Sequence, residues 1–277
     1  MNSTGHVSRG VEARAIPGGG WGVAFLGLVG LSLVALVLAP WPLQTKTLAI
    51  LHGLCAQRPS HSLWFSRERL PFDARMTGIY GGFFMTQLYL LARGRLRAAR
   101  LPSPPIVIAL GLFMAAMALD GFNSLAQDLG LPTAYTPANS LRLATGGLAG
   151  TTLGVALWLL VSAAVWSPRV RRTARVVTGW RDLAAMLGLV TAFCLVTASG
   201  WPPLFDPLSV VLIASAVLAL LLVCLAVIEL GKGSRSRHMR DLTGSACGAL
   251  LAAYLVLLGT ASFRAILEAG LRLKELS

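Results

Sequence analysis

Between residues 52 and 80 the chain gathers the side chain types that ligate metals, carry protons or attack electrophiles. His52 and Cys55 lie three apart and share a face if that stretch is helical. His61 follows a turn at Pro59, and Asp73 stands at the entry to an apolar run. Imidazole, thiolate and carboxylate together suit tetrahedral zinc. The spacing H-x2-C-x5-H-x11-D matches no strong zinc signature, so three readings stay open. His52, Cys55, His61 and Asp73 form a metal quartet with zinc as the implied cofactor; or they only pack a loop helix against its neighbours; or a thiol or imidazole among them is catalytic.

A second constellation lies further on. Asp120, Asn123 and Gln127 fall on one helical stripe, and Asn139, Arg142 and Thr145 fall on another. An ionisable group at membrane depth costs roughly 2.5–3.5 kcal/mol on insertion scales, so Asp120 is expected to be paired inward. Arg142 is the expected partner across the hairpin, with Arg75 as the rival. This pairing is either a structural clamp or one wall of a polar pocket. In the pocket reading Gln57, Arg75, Thr77, Tyr80, Asp120, Asn123, Asn139 and Arg142 are the ligand-binding residues. Arg142 or Arg75 would then grip a phosphate or carboxylate. Arg264 is expected to snorkel to the interface, and Asp182 and Asp206 to be solvated at span edges. No serine-nucleophile elbow or phosphate loop occurs.

These residues must be positioned by helices in lipid. Of 277 residues, 55% are hydrophobic and 13% charged, against roughly 25% charged in soluble domains. Apolar runs over about 21–41, 77–93, 104–126, 141–166, 182–201, 207–230 and 243–266 approach the roughly 20 residues that cross a bilayer. The fold class expected is an all-α polytopic bundle of about seven transmembrane helices. Residues 1–20 read as a disordered cytoplasmic tail, 21–267 as one transmembrane bundle with an outer loop at 44–76, and 268–277 as a short polar tail. A helix-like stretch from Thr45 to Gln57 opens that loop.

The net charge of +13 does not point to nucleic acid, because the basic residues lie beside the apolar runs. Fifteen fall in the amino terminus and the gaps 93–100, 167–181 and 231–242; nine fall on the other side. The positive-inside rule then makes the amino terminus cytoplasmic and the 44–76 loop external. It implies a multi-pass protein of the inner (plasma) membrane, with anionic lipids held on the cytoplasmic face and protein partners unassigned. Cys194, Cys224 and Cys247 lie in apolar runs and act as small hydrophobes, so no disulfide framework is implied. Gly78 and Gly82, and Gly146, Gly150 and Gly154, recur every four residues, which predicts packing seams and central second and fourth spans.

Over residues 48–155 the chain resembles the membrane protein family known as domain of unknown function 2085. The resemblance rests on Cys55-Ala-Gln57-x-Pro59-x-x-Ser62, on Leu70-Pro71 with Arg75-Met-Thr77-Gly78-Ile79-Tyr80, and on Asp120-Gly121 with Asn139-x-x-Arg142-x-x-Thr145-Gly146. Many relatives read Cys-His-Gln and Cys-x-Arg-Cys-Thr-Gly in the first two blocks, where this chain has Ala56, Asp73 and Met76. The resemblance therefore implies a cysteine-rich site altered here, and it supplies no activity. The function expected is an outward-facing polar pocket for a small anionic or metal ligand. The alternatives are an integral-membrane enzyme acting on a lipid or headgroup, and an accessory subunit of a membrane complex.

Overall fold

A computed structural model describes residues 19–168, 172–233 and 242–275. Among these the chain forms eight α-helices: α1 (Gly19–Leu38), α2 (Leu43–Ile50), α3 (Ala74–Ala92), α4 (Pro104–Asp128), α5 (Asn139–Val165), α6 (Trp180–Ala198), α7 (Phe205–Lys232) and α8 (Thr243–Glu275). Two small sheets accompany them. β1 (Ser62–Phe65) and β2 (Glu68–Asp73) form an antiparallel hairpin, and β3 (Ala98–Arg100) pairs in parallel with β4 (Arg172–Arg175). The bundle is thus all-α in its membrane part, as the apolar runs require.

Local chemistry sets the helix ends. Pro104 and Pro105 open α4, where a missing N–H costs nothing. Gly233 closes α7 at φ 63°, a left-handed conformation that glycine adopts without a Cβ clash. Asp73 caps α3 by accepting the Met76 amide at 2.9 Å.

Among the described residues six helices (α1, α4, α5, α6, α7 and α8) are long and apolar enough to cross a membrane. α3 has 19 residues, long enough for about 28 Å at 1.5 Å per residue. It is less apolar because protein surrounds it rather than lipid. Its buried positions include Thr77, Gly78, Gly81, Gly82, Thr86 and Gln87, small or hydrogen-bonding residues that face neighbouring helices.

The most extensive pairing in the bundle joins α3 to α5. A Cβ added at Gly78 would strike the backbone of Leu143 and Gly147; one at Gly82 would strike Gly147. Gly146 and Gly150 meet the α3 backbone at Arg75 and Ile79 in the same way. The glycine spacing therefore marks a true seam. Lipid provides no hydrophobic drive between helices, so close backbone approach supplies the packing energy.

The connections sort cleanly by end. At one end the β1–β2 hairpin buries Phe65, Leu70 and Phe72 against Phe205, Leu208 and Leu212. There Arg58 reaches Asp128, and Asn139 donates to the carbonyls of Ser60 and Ser62. At the other end the Trp158 and Trp166 indoles donate to the carbonyls of Arg95 and Leu96, and β3 lies beside β4. The arginine-rich connections after α3 and α5 therefore meet at one end, and the 58–73 and 129–138 connections meet at the opposite one.

Three local expectations are revised. The helix in the 44–76 loop stops at Ile50, and the loop closes as a hairpin whose Phe65, Leu70 and Phe72 pack on Phe205, Leu208 and Leu212 of α7. α8 continues through Glu275, across most of the segment expected as a polar tail. Residues 1–18 of the expected amino-terminal tail lie outside the described residues, as do 169–171 and 234–241.

Candidate functional site

Asp120 lies eight residues from the end of α4 and is 1% exposed. Its Oδ2 pairs with Arg75 Nη2 at 2.6 Å, its Oδ1 accepts the Tyr135 hydroxyl at 2.9 Å, and the Thr145 hydroxyl approaches at 3.4 Å. Arg75 sits two residues beyond the cap of α3, so the helix start aims its side chain across at α4. The expected Asp120–Arg142 pair is corrected: the rival, Arg75, takes the carboxylate. The α3–α5 seam brings the first turn of α3 level with Asp120, while Arg142 turns to Ser124 and Asn139.

Arg142 is the unusual group. It is 5% exposed, donates from Nε to Ser124 Oγ at 3.3 Å and from Nη1 to Asn139 Oδ1 at 2.9 Å. Both partners are neutral, and no carboxylate among the described residues lies within ion-pair distance of it. A buried cation without a counter-charge is costly. Beside it is a cavity of about 170 Å³ lined by His61, Asp73, Arg75, Gly121, Ser124, Leu125, Asp128 and Arg142. Arg75 also buries Nε without an acceptor among the described residues.

The other cavity charges are engaged to different degrees. Asp128 pairs with Arg58 at 2.6 Å and lies 3.5 Å from His61 Nε2. Burial, then the charge of Arg142, holds His61 below its ordinary pKa of 6.5. Asp73 accepts the Met76 amide and the Cys55 thiol, the latter at 3.4 Å, and forms no ion pair among the described residues. Burial and the hydrogen bond to Asp120 raise the Tyr135 phenol.

The proposed metal quartet does not converge. Cys55 and Asp73 touch, but His52 turns away, with Nε2 3.2 Å from Glu268 and Nδ1 3.3 Å from Gln57 Oε1. His61 turns to Asp128 instead. Among the described residues no three His, Cys, Asp or Glu side chains are grouped to hold a metal ion. The Cys55 thiol is pushed up to about 11, by burial first and then by the Asp73 charge. Such a thiol keeps its proton and donates to Asp73, which does not suit a nucleophile.

Five residues expected at the ligand make contacts that hold the scaffold. Gln57, at φ 55°, donates to the carbonyls of Leu48 and Pro71 and ties the loop to β2. Thr77 is buried and donates to the Phe72 carbonyl, and Tyr80 stacks on Phe72 at 4.6 Å. Asn123 clamps the α4–α5 loop through Tyr135 O at 2.9 Å and Ala134 N at 2.8 Å. Asn139 orients Arg142 and binds the hairpin. Sequence reasoning missed Ser124, Asp128 and Tyr135. Ser124 stands four residues after Asp120 and was legible from helical spacing; Tyr135 was not, because the loop fold places it.

Two further expectations are corrected. Asp182, expected to be solvated, is 5% exposed and accepts from Tyr89 Oη at 2.7 Å, Thr178 N at 2.9 Å and Thr178 Oγ1 at 2.5 Å. Arg264, expected to snorkel, donates to the carbonyls of His52, Cys55 and Ala56 and pairs with Glu268. It fastens α8 to the 44–76 loop.

No curated protein and no solved structure matches the chain. One family does, over a stretch close to that marked by the sequence blocks, and every residue that lines the cavity falls inside it. Residues 55–156, from Cys55 of the 44–76 loop through the first two-thirds of α5, match the model of the family described as predicted membrane protein (DUF2085).

Proposed function

We propose that this multi-pass membrane protein binds a small anion in the cavity between α3, α4 and α5, with Arg142 as the principal contact. The supporting observation is the buried Arg142 guanidinium, which lines the cavity with only Ser124 and Asn139 as partners. A phosphate or carboxylate there would supply the missing counter-charge and take the remaining guanidinium donors in the fork geometry that arginine offers. Arg75 would add a second positive wall, pre-oriented by Asp120. The charge bias supports the reading in which this end of the bundle faces outward from an inner (plasma) membrane, with the amino terminus and the arginine-rich gaps cytoplasmic beside anionic lipids. α3 joins the six apolar helices as a seventh span in this reading.

The test is the thermal stability of the purified chain in detergent with inorganic phosphate. Phosphate is expected to raise Tm in the wild type and to leave Arg142→Gln unmoved. An equal rise in both would end the proposal. Sidedness is tested by labelling Ser60→Cys in intact cells with an impermeant maleimide. Labelling supports an outward cavity, and protection until lysis overturns it.

A further inference from the structure

The cavity presents charges of both signs, and most of them are already spent. Arg75 is neutralised by Asp120 beneath the floor, and Asp128 by Arg58 at the rim. Two of the cavity's charges remain without a partner of opposite sign among the described residues: Arg142 and Asp73. They line the same cavity yet do not pair with each other. Arg142 is fixed by Asn139 and Ser124, and Asp73 by the α3 cap, so neither is free to swing across. A purely anionic ligand would satisfy Arg142 and leave its negative charge facing Asp73. A purely cationic one would do the reverse. A molecule carrying both an oxyanion and an ammonium satisfies the two walls at once.

We infer that the cavity takes a zwitterionic ligand, an oxyanion on Arg142 joined by a short linker to an ammonium on Asp73. This inference rests on the anion-binding reading above and adds the second charge. The shared chemistry is that of an amino-alkyl phosphate or amino-alkyl carboxylate, free in water or as the headgroup of a lipid. Leu125 lines the cavity, and Phe122 beside it on α4 is exposed, so the mouth lies next to an apolar helix face where acyl chains could run.

The experiment compares phosphoethanolamine with propyl phosphate, which has the same shape and lacks the ammonium, by calorimetric titration of the full chain in detergent. Phosphoethanolamine should bind at least about tenfold tighter, the margin of one charge-assisted hydrogen bond. Asp73→Asn preserves an N-cap residue and should bring the two ligands to the same affinity. Its melting temperature, measured alongside, verifies the fold. Propyl phosphate binding as tightly as phosphoethanolamine in the wild type overturns the inference while leaving the anion site standing. Loss of neither ligand in Arg142→Gln overturns both. The two sources separate in nanodiscs. Weaker apparent binding of soluble phosphoethanolamine in phosphatidylethanolamine than in phosphatidylglycerol assigns the site to a lipid headgroup, and equal binding assigns it to a soluble molecule.

Discussion

Two buried aspartates sit at opposite ends of the bundle and are held in nearly the same way. Asp120 has Arg75, the Tyr135 hydroxyl and Thr145; Asp182 has Arg95 at 3.6 Å, the Tyr89 hydroxyl and Thr178. In each case a carboxylate near a helix end is satisfied by one tyrosine, one threonine and an arginine. The difference lies in what surrounds them. At Asp182 the flanking cations, Arg95 and the more distant Arg93 at 4.0 Å, converge on the carboxylate itself. At Asp120 an additional buried cation, Arg142, stands beside the pair with no carboxylate of its own among the described residues. A charge cluster that closes on itself is a fastening. One that leaves a buried charge open holds a cost that a ligand can remove.

That contrast can be broken at several points. The α3–α5 seam carries the Asp120 cluster and reaches the Asp182 one, so Gly150→Leu should abolish folding altogether. A leucine there meets the Ile79 and Phe83 backbone, and overpacking of 1–3 kcal/mol or more is the floor for such a clash. Recovery of a monodisperse, wild-type-like protein would show that the seam is looser than described. Next, Asp120→Asn should cost about 3 kcal/mol by stranding Arg75, and Asp182→Asn about 2 kcal/mol by weakening its donors. Denaturant titration in detergent checks both values.

Arg142→Gln sharpens the comparison by its opposite sign. It removes an uncompensated buried charge, so stability should stay within about 1 kcal/mol of wild type or rise, while the phosphate response disappears. A drop as large as that of Asp120→Asn would make Arg142 a structural cation. Double-mutant cycles give the finer test. Arg75 and Asp120 should couple by about 1–3 kcal/mol, and Arg142 and Asp120 by much less.

The smallest effect expected is on pH dependence. His61 titrates below its ordinary 6.5 in the fold, because of burial and Arg142, with Arg58 adding to the depression and Asp128 and Asp73 opposing it. As pH falls below about 6.5 the unfolded chain takes up this proton first, so stability is lost through that window until the folded state is protonated too. Melting temperatures from about pH 7.5 to about pH 5 should fall more steeply in the wild type than in His61→Gln. Identical slopes would remove His61 from the cavity electrostatics.

Much of the scaffold was legible from residue order alone. The apolar runs place the long helices to within a few residues, except that α8 runs nine residues past its expected end, and the four-residue glycine period at Gly78, Gly82, Gly146 and Gly150 identifies the pair of helices that pack most closely. The site was legible in part. Arg75, Arg142, His61 and Asp73 line one cavity and Asp120 pairs with Arg75 beside it, but Gln57, Thr77, Tyr80 and Asn123 fasten the scaffold around it. His52 shows why. Three residues from Cys55, it shares a face with it only while the helix lasts, and α2 ends at Ile50.

By itself the sequence determined that the chain lives in lipid, how its ends differ in charge, and which small residues let helices touch. Those properties depend on local composition and on a helical period that needs no partner. Only the tertiary structure decided which arginine meets Asp120 and which is left over. That choice depends on the depth and rotation at which α3, α4 and α5 lock together, and backbone contact at the glycine seam sets both.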